Sequence, residues 1–104
     1  MSEFFLHLQH YAGRCDVAVD TLLRLGFVTG KRRDGVWLGR AATWAMLGTR
    51  WRCDALGRPV HVWIERPDGM VVDPTRWVLE GVWPYVYEGT ADLYAEAVLP
   101  LEEE

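Results

Sequence analysis

The sequence predicts an α+β fold in which N-terminal helices pack on an antiparallel β-sheet. Apolar residues recur at helical spacing early in the chain, whereas segments rich in β-branched residues flank a turn signal later on. The composition is globular, because half of the residues are hydrophobic and six are Trp. A chain of 104 residues can form one ordinary domain. We expect this single domain over residues 1–100 and a frayed acidic tail over residues 101–104.

Two helices are predicted before the sheet. The first is short, ends before Gly13 and rests on three apolar residues at helical spacing, Phe4, Leu8 and Tyr11. The second begins at Cys15 and stops at Gly26, a residue type that commonly ends helices. Its apolar stripe consists of Ala18, Val19 and Leu22. Cys15 is therefore expected at the N-terminal end of a helix and on its buried side.

The rest of the chain is predicted to be mainly β-structure. Residues 28–35 are expected to form a loop because they are polar and contain two glycines, and residues 40–47 are expected to be helical because they are rich in Ala. Strands are predicted over residues 49–55, 60–65, 70–73 and 77–87, the last of them broken at Pro84.

Charge and targeting features limit the possible partners. The net charge of -4 gives no general attraction to nucleic acid or to anionic membranes, so neither is predicted as a partner. The first residues show no signal-peptide pattern and no apolar run is long enough to span a bilayer, which leads us to expect a cytoplasmic protein. Two cysteines are too few for a disulfide framework, so Cys15 and Cys53 are expected to be thiols.

Three residues form the candidate catalytic set. A thiol attacks as the thiolate, which a helix N-terminus favours, and Cys15 is predicted at such a position. An imidazole can then form an ion pair with the thiolate, and a carboxylate can orient the imidazole. Of the three histidines, only His61 lies in a predicted strand with a suitably placed carboxylate, Asp73. We therefore predict a set in which Cys15 is the nucleophile, His61 the base and Asp73 the orienting residue.

The predicted hairpin brings two of these residues together. Residues 66–69 (Arg-Pro-Asp-Gly) suit a type I turn followed by Gly in the left-handed region, which makes a three-residue loop. With this loop His61 and Asp73 project from the same face, Asp73 lies opposite Trp63, and His61 is its diagonal neighbour. We expect the helix that begins at Cys15 to cover this face. The residues predicted to point the other way are Val60, Val62 and Ile64.

The same segments resemble a known family. His-Val-Trp-Ile-Glu at residues 61–65 and Val-Val-Asp-Pro-Thr at residues 71–75 resemble the His and Asp motifs of the transglutaminase-like superfamily. Gly-Arg-Cys at residues 13–15 is similar to the family's nucleophile motif, and the resemblance covers about residues 9–77. It implies a minimal papain-like (transglutaminase-core) fold and a cysteine peptidase or amidase that needs no cofactor and acts on a peptide or protein. It also implies that Gln9 contributes to the oxyanion hole.

Other interpretations fit parts of the sequence. The same thioester chemistry would serve a transglutaminase or another acyltransferase. The fold could instead serve a binding module without activity, and a layout similar to that of lasso-peptide leader peptidases would indicate a peptide-processing enzyme. Gln9 could simply be exposed, and Cys53 is expected to be a half-buried strand residue. A zinc site could in principle use His7, His10 and Cys15. The tryptophans are expected to lie mostly in the core: Trp37, Trp44, Trp51, Trp63, Trp77 and Trp83.

Overall fold

The computed structural model describes residues 8–40 and 52–99, and within them the fold is α+β, as predicted. A 3-10 helix, two α-helices and five strands follow one another in these two ranges. In order they are the 3-10 helix Leu8–Tyr11, α1 (Cys15–Leu25), β1 (Lys31–Trp37), β2 (Val60–Glu65), β3 (Val71–Asp73), α2 (Arg76–Glu80), β4 (Tyr87–Gly89) and β5 (Tyr94–Ala95). No helix in the described ranges is long and apolar enough to cross a membrane.

The five strands form one antiparallel sheet in the order β4-β3-β2-β1-β5. Strand β2 is central and pairs along its length with β1, from Lys31–Glu65 to Val36–Val60. Its pairing with β3 is confined to Ile64–Val72 and Glu65–Val71, at the C-terminal end of β2. The N-terminal half of β2, which contains His61, therefore lies beyond the paired part of β3.

Helix α1 forms where the sequence predicts it. It begins at Cys15, and Gly26 follows its last residue with φ 75°, a left-handed conformation in which its N–H bonds back to Leu23 O. The apolar stripe of α1 packs on three aliphatic residues of the sheet, Val62, Ile64 and Val72.

The opposite face of the sheet carries a second, mainly aromatic core. Its buried members are Trp37, Trp63, Val71, Leu79 and Tyr94. Side chains alternate between faces along a strand, so His61 and Asp73 share this face with Trp63 and Val71. The prediction that α1 covers the face of His61 and Asp73 is therefore wrong. Both faces of β2 are buried, so the alternation in the sequence could not show which face the helix would choose.

Three further segments differ from prediction. Residues 31–37 form strand β1, although a run of charged residues is typical of a loop. Ion pairs neutralise these charges: Arg32 pairs with Asp20 and Asp34, and Arg33 pairs with Glu65. The segment 77–87 was predicted as strand but begins in helix α2, which ends before Gly81, and only Tyr87 belongs to a strand. Strand β5 was not predicted.

The remaining predictions have mixed outcomes. In the described part of the predicted strand 49–55 the chain forms no continuous strand; Cys53 forms an isolated bridge with Pro59 and is exposed, not half-buried. The predicted helix 40–47 lies outside the described residues except for Arg40, as does the acidic tail. Three tryptophans are buried, Trp37, Trp63 and Trp77, whereas Trp83 is 89% exposed, and Trp44 and Trp51 lie outside the described residues.

Candidate functional site

The hairpin between β2 and β3 sets the register of the site. Arg66 N–H donates to Met70 O at 2.9 Å and Gly69 N–H donates to Arg66 O at 3.0 Å, which closes a three-residue loop. Gly69 has φ 83°, in the left-handed region that favours glycine. The predicted loop is thus confirmed. The pair Ile64–Val72, continued by one residue, places Asp73 opposite Trp63, as the predicted register requires.

His61 and Asp73 form a buried hydrogen-bonded pair. His61 Nε2 lies 2.6 Å from Asp73 Oδ2, and both residues are 0% exposed. This is the diagonal contact expected for two residues on the same face of neighbouring antiparallel strands. The prediction that they share a face is confirmed. The short distance is typical of a hydrogen bond in which at least one partner carries charge.

The Asp73 carboxylate accepts further hydrogen bonds. Oδ1 accepts from Thr75 N–H at 3.0 Å and lies 3.5 Å from Thr75 Oγ1. Oδ2, the oxygen bound to His61, also accepts from Tyr94 Oη–H at 2.9 Å. Sequence reasoning missed Tyr94 because it follows Asp73 by 21 residues and lies in a strand that was not predicted. Only the pairing of β5 with β1 brings it to the site.

Burial and charge act on the imidazole in opposite directions. Burial alone would lower the pKa of His61, but the negative charge of Asp73 and its hydrogen bond more than offset this and raise the pKa from 6.5 to about 9. Cys15 adds a smaller effect in the same direction. The imidazole is therefore protonated at neutral pH.

Cys15 occupies the first position of α1 and lies at the wall of a cleft. The preceding residue, Arg14, makes no side-chain hydrogen bond to the first N–H groups of α1, so it does not cap the helix. Cys15 as a residue is partly exposed, and the cleft that it lines has a volume of about 330 Å³. The other residues that line the cleft are Gly13, Asp16, Arg32, Asp34, Arg52, Val60 and Val62.

Cys15 acts on the pKa of His61 although the two residues pack on different sides of the sheet. Cys15 packs against the core on the α1 side, whereas the His61 ring lies on the other side. Strand β3 ends at Asp73. If its register with β2 continued, Thr75 would lie opposite His61, but Thr75 is outside the strand. Cys15 is near enough to raise the pKa of His61, although Nδ1 makes no hydrogen bond of regular geometry with residues 8–40 and 52–99. The structure therefore shows an influence of Cys15 on the His61 pKa without a regular hydrogen bond, in contrast to the bond between His61 and Asp73.

The other predicted site residues are only partly described. Gln9 is exposed on the 3-10 helix, so its oxyanion role stays a prediction. His7 lies outside the described residues, and residues 8–40 and 52–99 contain no cluster of three His, Cys, Asp or Glu side chains that could bind a metal.

Comparisons with known proteins add nothing to the assignment of this site. Comparison of the chain with family models, with curated proteins and with solved structures finds no match in any of the three.

Proposed function

We propose that this protein is a cysteine hydrolase of the transglutaminase-like, papain-like type, with Cys15 as nucleophile, His61 as acid and base, and Asp73 as the orienting residue. The observation that carries the proposal is the buried His61–Asp73 pair, whose ring is also influenced by the Cys15 thiol. A carboxylate, an imidazole and a thiol in series are the groups required for covalent acyl transfer.

The raised pKa of His61 supports this role. Since the ring is protonated at neutral pH, it can stabilise a neighbouring thiolate as an ion pair. The thiolate of Cys15 attacks the carbonyl carbon of an amide, and the imidazolium gives its proton to the departing amine. Water then attacks the thioester, losing a proton to His61, and the acid is released with Cys15 restored as the thiolate.

The start of α1 supplies donors for the negative oxygen that develops during attack. The first N–H groups of an α-helix have no partners within the helix, and the helix dipole favours negative charge there. We assign one donor to the backbone N–H of Cys15. Gln9, on the preceding 3-10 helix, is our candidate for the second donor.

The cleft beside Cys15 is our candidate substrate site. Two valines, Val60 and Val62, provide apolar surface, and Asp16 and Arg52 add polar groups of opposite charge. A peptide offers both the amide bond and the mixed apolar and polar side chains that such a cleft can contact. We therefore propose a peptide or protein substrate and a peptidase or amidase reaction.

Reaction with an activated ester tests the nucleophile without knowledge of the substrate. p-Nitrophenyl acetate should give a burst of p-nitrophenol followed by slower turnover, with the acetyl group found on Cys15 by mass spectrometry. Cys15→Ala should abolish the burst, and Cys53→Ala should retain it. Loss of the burst in the Cys53 variant, or acetylation of neither cysteine, would contradict the proposal.

Two further measurements distinguish the hydrolase from the acyltransferase and from a binding module. An added primary amine would appear as an acetylated amine if the enzyme transfers acyl groups, whereas a hydrolase would release acetate. Folding of Cys15→Ala, checked by its melting temperature, shows whether loss of the burst reflects chemistry or unfolding. Absence of any burst in the folded parent protein would favour a binding module.

A further inference from the structure

Tyr94 contacts the candidate site from the edge of the sheet. It is 8% exposed, and its hydroxyl donates to Asp73 Oδ2 at 2.9 Å. The same oxygen lies 2.6 Å from His61 Nε2. Two donors thus share one carboxylate oxygen, and each reduces the negative charge available to the other.

The position of the Tyr94 hydroxyl is fixed by its surroundings. Strand β5 pairs with β1, so that Tyr94 lies opposite Trp37, and the two rings meet edge to face with centroids 5.7 Å apart. The Trp63 ring lies 4.9 Å away on the same face, and the His61 ring stacks at 6.3 Å. Because the phenol is surrounded by aromatic rings, its hydroxyl has little freedom to leave Asp73.

The Tyr94 hydroxyl keeps its proton at physiological pH and therefore remains a hydrogen-bond donor. Burial and the negative charge of Asp73 raise its pKa well above the ordinary value for a tyrosine, although Arg76 opposes this. A neutral phenol next to a carboxylate can only donate its proton to the hydrogen bond. Asp73 therefore remains an acceptor from Tyr94 and from His61 together.

Several titratable groups of the described residues surround this network. Asp73 and Cys15 act on His61, Asp73 and Arg76 act on Tyr94, and Glu80 pairs with Arg76 and accepts from the Tyr85 hydroxyl. On the same face Arg33 of β1 is already paired with two carboxylates, those of Glu65 and Glu96.

We propose that Tyr94 is a positioning residue of the site: its hydroxyl fixes the Asp73 carboxylate and, by sharing Oδ2, weakens the hold of Asp73 on the proton of His61. The catalytic role of Tyr94 rests on the proposed function. The hydrogen bonds among Tyr94, Asp73 and His61 do not depend on it. A weaker hydrogen bond from Nε2–H to Asp73 makes the imidazolium more acidic, so its other proton, on Nδ1, passes more readily to a leaving group.

The test is a pair of Tyr to Phe variants, each of which removes one hydroxyl. Tyr94→Phe removes the donor to Asp73. The matched control, Tyr87→Phe, alters a neighbouring ring, 6.2 Å from Tyr94, whose hydroxyl donates to Thr90 O instead. The ring signals of His61 are followed by NMR from pH 5 to 11. We expect the titration midpoint of His61 to rise by roughly 0.5–1 pH unit in Tyr94→Phe and to stay unchanged in Tyr87→Phe.

A second variant gives the opposite shift and keeps the ring. Site-specific replacement of Tyr94 by 3,5-difluorotyrosine makes the hydroxyl a stronger donor, so the midpoint of His61 should fall. This variant also serves if Tyr94→Phe does not fold. An unchanged midpoint, or shifts of the reverse sign, would overturn the proposal.

The titration does not depend on activity, which separates this proposal from the proposed function. If the midpoints shift as expected but Cys15 is never acylated, the hydrogen-bond network stands and the enzymatic assignment fails. If Cys15 is acylated and the midpoints do not move, the enzymatic assignment stands and the role of Tyr94 fails. Where both hold, the alkaline limb of the rate profile should move with the His61 midpoint.

Discussion

The two cysteines differ in environment more than in exposure. Cys53 is exposed and bridges to Pro59, whereas Cys15 is partly buried at the start of α1. If access alone governed reactivity, Cys53 would react first. If the helix N-terminus and the imidazolium of His61 favour the thiolate, Cys15 would react first despite its burial.

We expect iodoacetamide at pH 6 to alkylate Cys15 faster than Cys53 by roughly tenfold or more, because an ordinary thiol is almost fully protonated at that pH. Mass spectrometry of singly labelled protein after digestion measures the two rates. His61→Gln should remove most of the difference, since it removes the positive charge next to Cys15. Equal rates in the parent protein, or faster labelling of Cys53, would exclude Cys15 as an activated nucleophile.

At the scale of elements, the hairpin could be predicted and the position of α1 could not. The register from Val60 to Asp73 follows from one local turn, whose geometry is fixed by Gly69. The face covered by α1 depends on long-range packing, and both faces of β2 are buried. The charged strand β1 was missed for a similar reason: Asp20, which pairs with Arg32, is distant in sequence.

Strand β1 also contains a glycine that the packing requires. Gly35 pairs with His61, and a Cβ at this position would overlap the carbonyl oxygen of Ala95 and come within 2.5 Å of the Trp63 ring. The close approach of β5 to β1 therefore depends on the absence of a side chain at Gly35. This approach also brings the start of β5, and hence the phenol of Tyr94, to the site.

Gly35→Ala should lower the free energy of unfolding by about 1–3 kcal/mol, the usual cost of overpacking, and displace Trp63 or β5. Chemical denaturation measures the loss, and the tryptophan fluorescence of the folded state reports the displacement. Gly57→Ala is the comparison: it has open space around it but φ 77°, so it should cost about 1 kcal/mol and leave the folded-state fluorescence unchanged. A cost at Gly35 no larger than that at Gly57 would show that the strands can separate without penalty.

For the molecule as a whole, the candidate site spans the two cores of the described residues: His61 and Asp73 lie beside the aromatic core, and Cys15 packs against the aliphatic core under α1. His61 and Asp73 are fully buried beside Trp37, Trp63 and Tyr94, so the charges of the pair are part of the interior. Burying charges is costly unless they are paired and hydrogen-bonded, as they are here. Protonation of His61 therefore affects the stability of the entire fold as well as the proposed catalytic step.

This linkage predicts a pH dependence with a definite sign. The pKa of His61 is raised in the folded protein from 6.5 to about 9, so the folded state holds the proton more tightly than the unfolded chain. The stabilisation is fully present below pH 6.5 and is lost as the pH rises through 9. The free energy of unfolding should therefore be lower at pH 9.5 than at pH 6, by about 3 kcal/mol from this group.

Urea denaturation at half-unit steps from pH 6 to 9.5 measures this change, and variants identify its source. In His61→Gln the titrating group is absent, and in Asp73→Asn the charge that raises its pKa is absent, so both should lose most of the decline. Both should also be less stable than the parent at pH 6, because each leaves a buried partner with fewer hydrogen bonds. A decline of equal size in the parent and in His61→Gln would mean that other groups cause it. A parent protein that gains stability between pH 6 and 9.5 would contradict a raised pKa for His61, and with it the protonated imidazole on which the proposed mechanism depends.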